Sequence, residues 1–310
     1  MPQFPNTAIA TGVWDFKDLR TSLLGENWPA VTTTLAGFQG SVSGYTSGGE
    51  TTNVIDKFSF VADGNASDVG DLTVARFGLA GQSSKVSGYS SGSFPDTNVI
   101  DKFPFSSNAN ASDVGDLTVA RGFITGQSST VSGYTVSGYL TNNTIDKFPF
   151  AADGNATDVG DLTQGRYGTA GQSSTESGYT SGGQIPATVN TIDKFPFASN
   201  ANASDVGNLT GVRTRGAGQS STSSGYTSGG SGPSNVIDKF PFATDSDATD
   251  VGDLTQGRYG AAGQSSTTSG YTSGGASTNV IDKFPFASDA NATDVGDSTT
   301  LGRFRAGQQV

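Results

Sequence analysis

The chain has 310 residues, 28 acidic and 17 basic side chains, and neither Cys nor His. The two absences exclude ordinary zinc, copper and haem ligation, disulfides, and Ser-His-Asp or Cys-His nucleophilic catalysis. A formal charge of -11 argues against a broad nucleic-acid-binding surface, and no stretch approaches the roughly 18 apolar residues of a membrane span.

Residues 1–34 stand apart in composition. Met1 to Ala10 lacks the basic and apolar regions of a secretory signal. Both tryptophans, Trp14 and Trp28, fall in this leader. Asp15 can cap a short helix that places Phe16, Leu19 and Leu23 on one side, and Gly25 ends it. Trp28-Pro29 marks an extended exit. Such a leader either folds back over its own domain or inserts into another subunit, where large aromatics concentrate binding energy. On the second reading the anchor is Trp14, Phe16, Leu19, Leu23, Trp28 and Pro29.

From about residue 35 to 310 the chain repeats. Asn53-Val-Ile-Asp-Lys-Phe58 returns at Asn98, Asn143, Asn190, Asn235 and Asn279, at intervals of 45, 45, 47, 45 and 44 residues. Asp68-Val-Gly-Asp-Leu72 returns in step, followed each time by an arginine: Arg76, Arg121, Arg166, Arg213, Arg258 and Arg303. Ser-Gly-Tyr carries Tyr45, Tyr89, Tyr134, Tyr179, Tyr226 and Tyr271.

Each copy divides into four strand-length pieces separated by Gly, Asn, Asp or Ser clusters. The Asn235 piece alternates, with Val236, Asp238, Phe240 and Phe242 on one face and Ile237 and Lys239 on the other. Pro241 lacks a donor, so this strand is expected toward a sheet edge. The Gly-Gln-Ser-Ser piece is small and polar, suited to a place where strands converge on an axis. Four strands in a period near 45 predict a β-propeller of six blades, with a β-solenoid as the rival architecture. Ala36-Gly-Phe-Gln39 and Ala306-Gly-Gln308 make one strand type appear seven times and the others six. That overlap would let the C-terminal strand complete the first blade.

Arg258-Tyr-Gly260 before a small-residue strand, Gly274-Gly275 after the next, and Phe284 with Phe286 after the third resemble a kelch repeat. The resemblance implies a binding scaffold over residues 35–310, or in some members a copper oxidase. The copper site of that oxidase needs His and a Cys-Tyr link, which this chain cannot build. The leader motif Gly12-Val-Trp14, Leu19-Arg20 and Glu26-Asn-Trp28-Pro29 is similar to leaders of virion proteins of marine and cyanobacterial tailed phages. The repeated Ser-Gly-Tyr-Thr-Ser-Gly-Gly and Ile-Asp-Lys-Phe-Pro-Phe are similar to repeats in such proteins.

Several clusters invite a chemical reading. The run Asp289 to Asp297, with counterparts such as Asp63 to Asp71, alternates oxygen ligands as a calcium loop would. The same side chains also stabilise turns by bonding backbone amides. Its second and fourth copies begin with Asn108 and Asn200, which removes charge from a metal site. The recurring Asp and Arg, Asp56 and Arg76 for example, form either a catalytic pair or six structural ion pairs. No acid or base is singled out with a partner, and Glu26, Glu50 and Glu176 are scattered, which disfavours catalysis, including a two-carboxylate glycosidase. The six Ser-Gly-Tyr tyrosines either stack on sugars or pack between blades; their place inside strand pieces favours packing. The loops Gly92 to Thr97, Val136 to Asn142, Gly183 to Val189 and Gly230 to Ser234 vary between copies and are the better binding candidates.

The resulting expectation is an all-β, six-bladed kelch-like propeller (35–310) behind an anchoring leader (1–34). Its function would be that of a non-enzymatic virion structural protein without cofactor. The leader would dock it to other virion subunits of tail or capsid. The propeller would face outward as decoration, or as an adhesin for a host-surface glycan or protein. Neither nucleic acid nor membrane insertion is expected. The alternatives are a cellular or secreted interaction scaffold and a carbohydrate-active enzyme.

Overall fold

The computed structural model describes residues 39–50, 52–139, 142–276 and 278–310, so the anchor residues named above lie outside it. Each repeat folds into a four-stranded antiparallel sheet, and the six sheets form a six-bladed propeller. Blade 2 shows the pattern: inner strand Ala80–Ser83, second strand Ser87–Ser93, third strand Thr97–Pro104 and outer strand Ser112–Asp116. Blade 1 takes its inner strand from the far end of the chain, where Ala306–Gln309 pairs with Ser43–Ser47.

The inner strands surround the axis with almost no side-chain bulk. A methyl built on Gly81 would overlap the carbonyl oxygen of Gly307. The same holds for Gly126 against Gly81, Gly171 against Gly126, Gly218 against Gly171, Gly263 against Gly218 and Gly307 against Gly263. The contacts close into a ring, so glycine is required there for close backbone approach. The small polar piece is thus the axial strand, as its composition predicts. The seventh copy of that sequence adds no strand among the described residues. Instead Gln39 donates from Nε2 to the carbonyls of Ser220 and Ser266, at 3.3 and 3.1 Å, and ties the inner-strand ends of blades 5 and 6.

Blades pack through one repeated apolar contact. Tyr179, Ile192 and Leu209 of blade 4 bury against Phe240 and Ala248 of blade 5, with Phe242 alongside. Tyr179 lies 4.8 Å from the Phe242 ring and Tyr226 4.9 Å from Phe286. All six Ser-Gly-Tyr tyrosines are about 2 % exposed and stack in this way, so they are core residues rather than sugar platforms. The inner-strand glutamines tie the same interfaces with hydrogen bonds. Gln82, for instance, donates to the Tyr134 carbonyl and to Thr135 Oγ1 of blade 3 at 3.0 and 2.9 Å.

The proline-containing strand corrects the sequence expectation. Val236–Pro241 is the third strand of its blade, flanked on both sides. Pro241 is its last residue, beyond the reach of the outer strand, whose pairing stops at Lys239. The neighbouring Phe242 amide donates inward to the Ser223 carbonyl. The Pro241 nitrogen therefore faces the side where no strand is left to pair, and its missing donor leaves no gap in the ladder.

Candidate functional site

Strand direction divides the chemistry between two faces. The loops joining second to third strands, and the connections from each outer strand to the next inner strand, lie on one face. The inner turns and the Asp/Asn runs lie on the other, where Gln39 meets the inner-strand ends of blades 5 and 6.

The Asp/Arg pairs lie in the connections and are structural. Arg166 and Asp193 are both fully buried, 3.2 Å apart. Asp193 also accepts the Thr163 backbone N–H at 3.1 Å and its hydroxyl at 2.7 Å. Burial pushes the Arg166 guanidinium below its ordinary value, while Asp193 and Asp205 pull it back up. The pairing is offset by one copy from the sequence expectation: Arg76 meets Asp101, and Asp56 meets Arg305. Arg303, in line with the other arginines by sequence, instead pairs with Glu50 at 2.7 Å. In each clamp the third strand of a blade grips the connection that enters that blade. The threonine that completes the clamp was not singled out in the sequence, although Leu-Thr follows Val-Gly-Asp in most copies.

The Asp/Asn runs are inter-blade ties. Asn110 Oδ1 accepts the Asp71 amide and Asn155 Oδ1 accepts the Asp116 amide, each at 3.1 Å. Asp68 Oδ1 accepts the Gly70 amide. The leading aspartates serve lysines: Lys102 reaches Asp153 at 2.8 Å and Lys283 reaches Asp63 at 2.9 Å. These oxygens answer N–H groups, and among the described residues no three acidic groups gather as metal ligands.

The opposite axial opening breaks the repeat. Three residues before each ring glycine the backbone is left-handed, which suits Gly78, Gly168 and Gly260 (φ 67°, 63° and 68°). In alternate blades the same place holds Phe123, Arg215 and Phe304, at φ 54°, 62° and 60°. These six residues form a closed circuit of backbone hydrogen bonds. Gly78 donates to Phe304, Phe123 to Gly78, Gly168 to Phe123, Arg215 to Gly168, Gly260 to Arg215 and Phe304 to Gly260. A bulky residue at positive φ is strained by roughly 1–2 kcal/mol, and such strain clusters at functional sites.

The three side chains meet over the axis. The Phe123 and Phe304 rings lie 5.3 Å apart, edge to face, and the Arg215 guanidinium lies 5.8 and 5.4 Å from their centres. Further rings extend the patch outward. Phe77 meets Phe94 at 5.5 Å, Tyr139 meets Tyr167 at 5.3 Å, and Tyr259 lies 6.2 Å from Phe304. Most are half-buried, and Tyr139 is 40 % exposed. Arg303 lies over Phe304 and Tyr259, and donates to the Tyr259 hydroxyl at 2.6 Å.

The variable loops frame this patch. Phe94 and Tyr139 belong to two of them. Gln184 pairs with Tyr167, and the Ser231 amide donates to the Thr214 carbonyl. The loops chosen from sequence for their irregularity therefore converge on one opening. The aromatic centre was not foreseen. Its signal was the loss of Arg-x-Gly from alternate copies, which read Arg121-Gly-Phe123, Arg213-Thr-Arg215 and Arg303-Phe-Arg305.

Fold and site together define a six-bladed β-propeller whose aromatic, loop-framed axial face departs from a closely repeated scaffold. No protein-family model matches the chain, and no curated protein sequence matches it.

Proposed function

We propose that the chain is a non-enzymatic virion structural protein. Its kelch-like propeller is docked by the leader to tail or capsid subunits, and its aromatic face is turned outward as decoration or as a host-surface adhesin. The carrying observation is the opposition of two ends. On one face the Asp/Asn ties recur from blade to blade, whereas the variable loops and aromatic patch break the repeat on the other. An irregular face on a repeated scaffold suits contact with another molecule, and many copies on a symmetric particle turn weak contacts into avidity.

The phage reading is further supported by the leader motif and by the similarity of the repeats to virion proteins. The non-enzymatic reading is supported by the use of every repeated Asp/Arg pair as a buried clamp. The test is cryo-EM of purified particles with the chain located in the map. Residues 1–34 buried in a neighbouring subunit, with the aromatic face projecting, are expected. A chain missing from particles, or a leader covering the aromatic face, refutes the reading and leaves an interaction scaffold in its place.

A further inference from the structure

We propose that the aromatic opening binds a carboxylate-bearing sugar, with Arg215 holding the carboxylate and the surrounding rings holding the sugar faces. The first argument is charge. Six arginines are used in the carboxylate clamps, and Arg303 pairs with Glu50. Arg215 alone among the arginines of the described residues has no acidic partner. Its Nε is buried without a hydrogen bond. It stands at the axial opening of a chain with net charge -11, beside two aromatic rings that lower the dielectric around it and supply no counter-ion. A guanidinium so placed offers a planar fork to one carboxylate.

The second argument is shape. The backbone donors at the centre are occupied by the closed circuit of six hydrogen bonds, so no free strand edge is presented to an extended peptide. What remains is a shallow array of ring faces with the hydroxyls of Tyr139 and Tyr167 around Arg215, while Arg303, paired with Glu50, holds the Tyr259 hydroxyl at the margin. Sugar C–H faces stack on rings, and sugar hydroxyls bond phenols. The third argument is strain: the left-handed backbone at Phe123, Arg215 and Phe304 is what brings these side chains over the axis.

This inference rests on reading the aromatic face as the binding face, but it is tested on the free full-length chain. Its failure leaves the location of the chain on a particle untouched, and absence from a particle leaves the binding result untouched. Isothermal titration calorimetry would compare oligogalacturonate and oligoguluronate with methyl-esterified oligogalacturonate, inorganic sulfate and polyglutamate. At least one oligouronate is expected to bind, with the ester, sulfate and polyglutamate each weaker by at least about tenfold. Arg215→Gly should reduce oligouronate binding by at least about tenfold. It should fold normally, because glycine already holds the same place in three blades. Tyr139→Ala, at an exposed ring, should weaken binding with no change in thermal unfolding. Failure of both oligouronates to bind overturns the proposal. So does equal binding of the ester, sulfate or polyglutamate, or oligouronate binding unchanged in Arg215→Gly.

Discussion

Asp193→Ala tests the reading of the repeated charges as clamps. Asp193 has no exposed surface and faces Arg166, which has none either, at 3.2 Å. The same carboxylate accepts both the amide and the hydroxyl of Thr163. Truncation leaves a buried guanidinium without its counter-ion, a change that costs about 3–5 kcal/mol. That is a large part of the roughly 5–15 kcal/mol that separates a folded domain from its unfolded chain. Denaturant unfolding followed by tryptophan-independent far-UV signal is the assay. The midpoint should fall while the slope, set by the surface exposed, stays the same. Removing both charges with Asp193→Leu and Arg166→Leu together should cost less than Asp193→Ala alone, because no unpaired charge is left. A loss below about 1 kcal/mol for Asp193→Ala would refute the reasoning, since that is the range of a solvated surface pair.

Gly263→Ala puts a methyl against the Gly218 carbonyl at the axis and should destabilise by about 3 kcal/mol or more. Gly64→Ala, where the added carbon meets nothing within 4 Å, should stay within about 0.5 kcal/mol, and thermal melts compare the two. Alkaline titration should unfold the propeller. Burial pushes the Tyr45 and Tyr134 phenols up to about 12 from 10.0. Between those values the unfolded chain releases protons that the folded state keeps, so their stabilisation is full below pH 10.0 and is lost as the pH rises through about 12. Tyrosinate absorbance should rise together with loss of far-UV signal. Asn108→Asp with Asn200→Asp should supply, by repeat equivalence, the carboxylates that Lys57 and Lys147 lack. The gain should be at most about 1 kcal/mol and should fade in high salt, because the matching pairs are solvent-exposed.

The fold was legible because each copy states the same four strands, and only a closed ring makes use of an inner strand supplied by the C-terminus. The inner strand could be placed from its composition alone, since Gly, Gln and Ser suit an axis that excludes bulk. The clamp register was not legible. Asp56 and Arg76 are close in sequence, yet pairing follows the connection into the next blade, and Arg303 and Arg305 compete for one place with a shortened spacing before Gly307. The edge position expected for Pro241 failed for a local reason, because its nitrogen lies past the end of the neighbouring strand. The irregular loops were legible as binding candidates by their variation in length. The aromatic centre was not, because its residues come from five blades and only the circuit around the axis brings them together.

Stability is carried by what repeats, on both faces. Apolar stacks, glutamine ties, carboxylate clamps and the glycine ring recur around the propeller, so no single blade carries the whole fold. A scaffold with such repeated support can hold three left-handed non-glycine residues, each strained by about 1–2 kcal/mol, at a position where glycine would fit better. Strain kept where a relaxed residue is already present in alternate blades points to the side chains rather than to the backbone. Two phenylalanines and an arginine without a carboxylate, held over the axis and ringed by loops of unequal length, are the residues on which the proposed binding face rests.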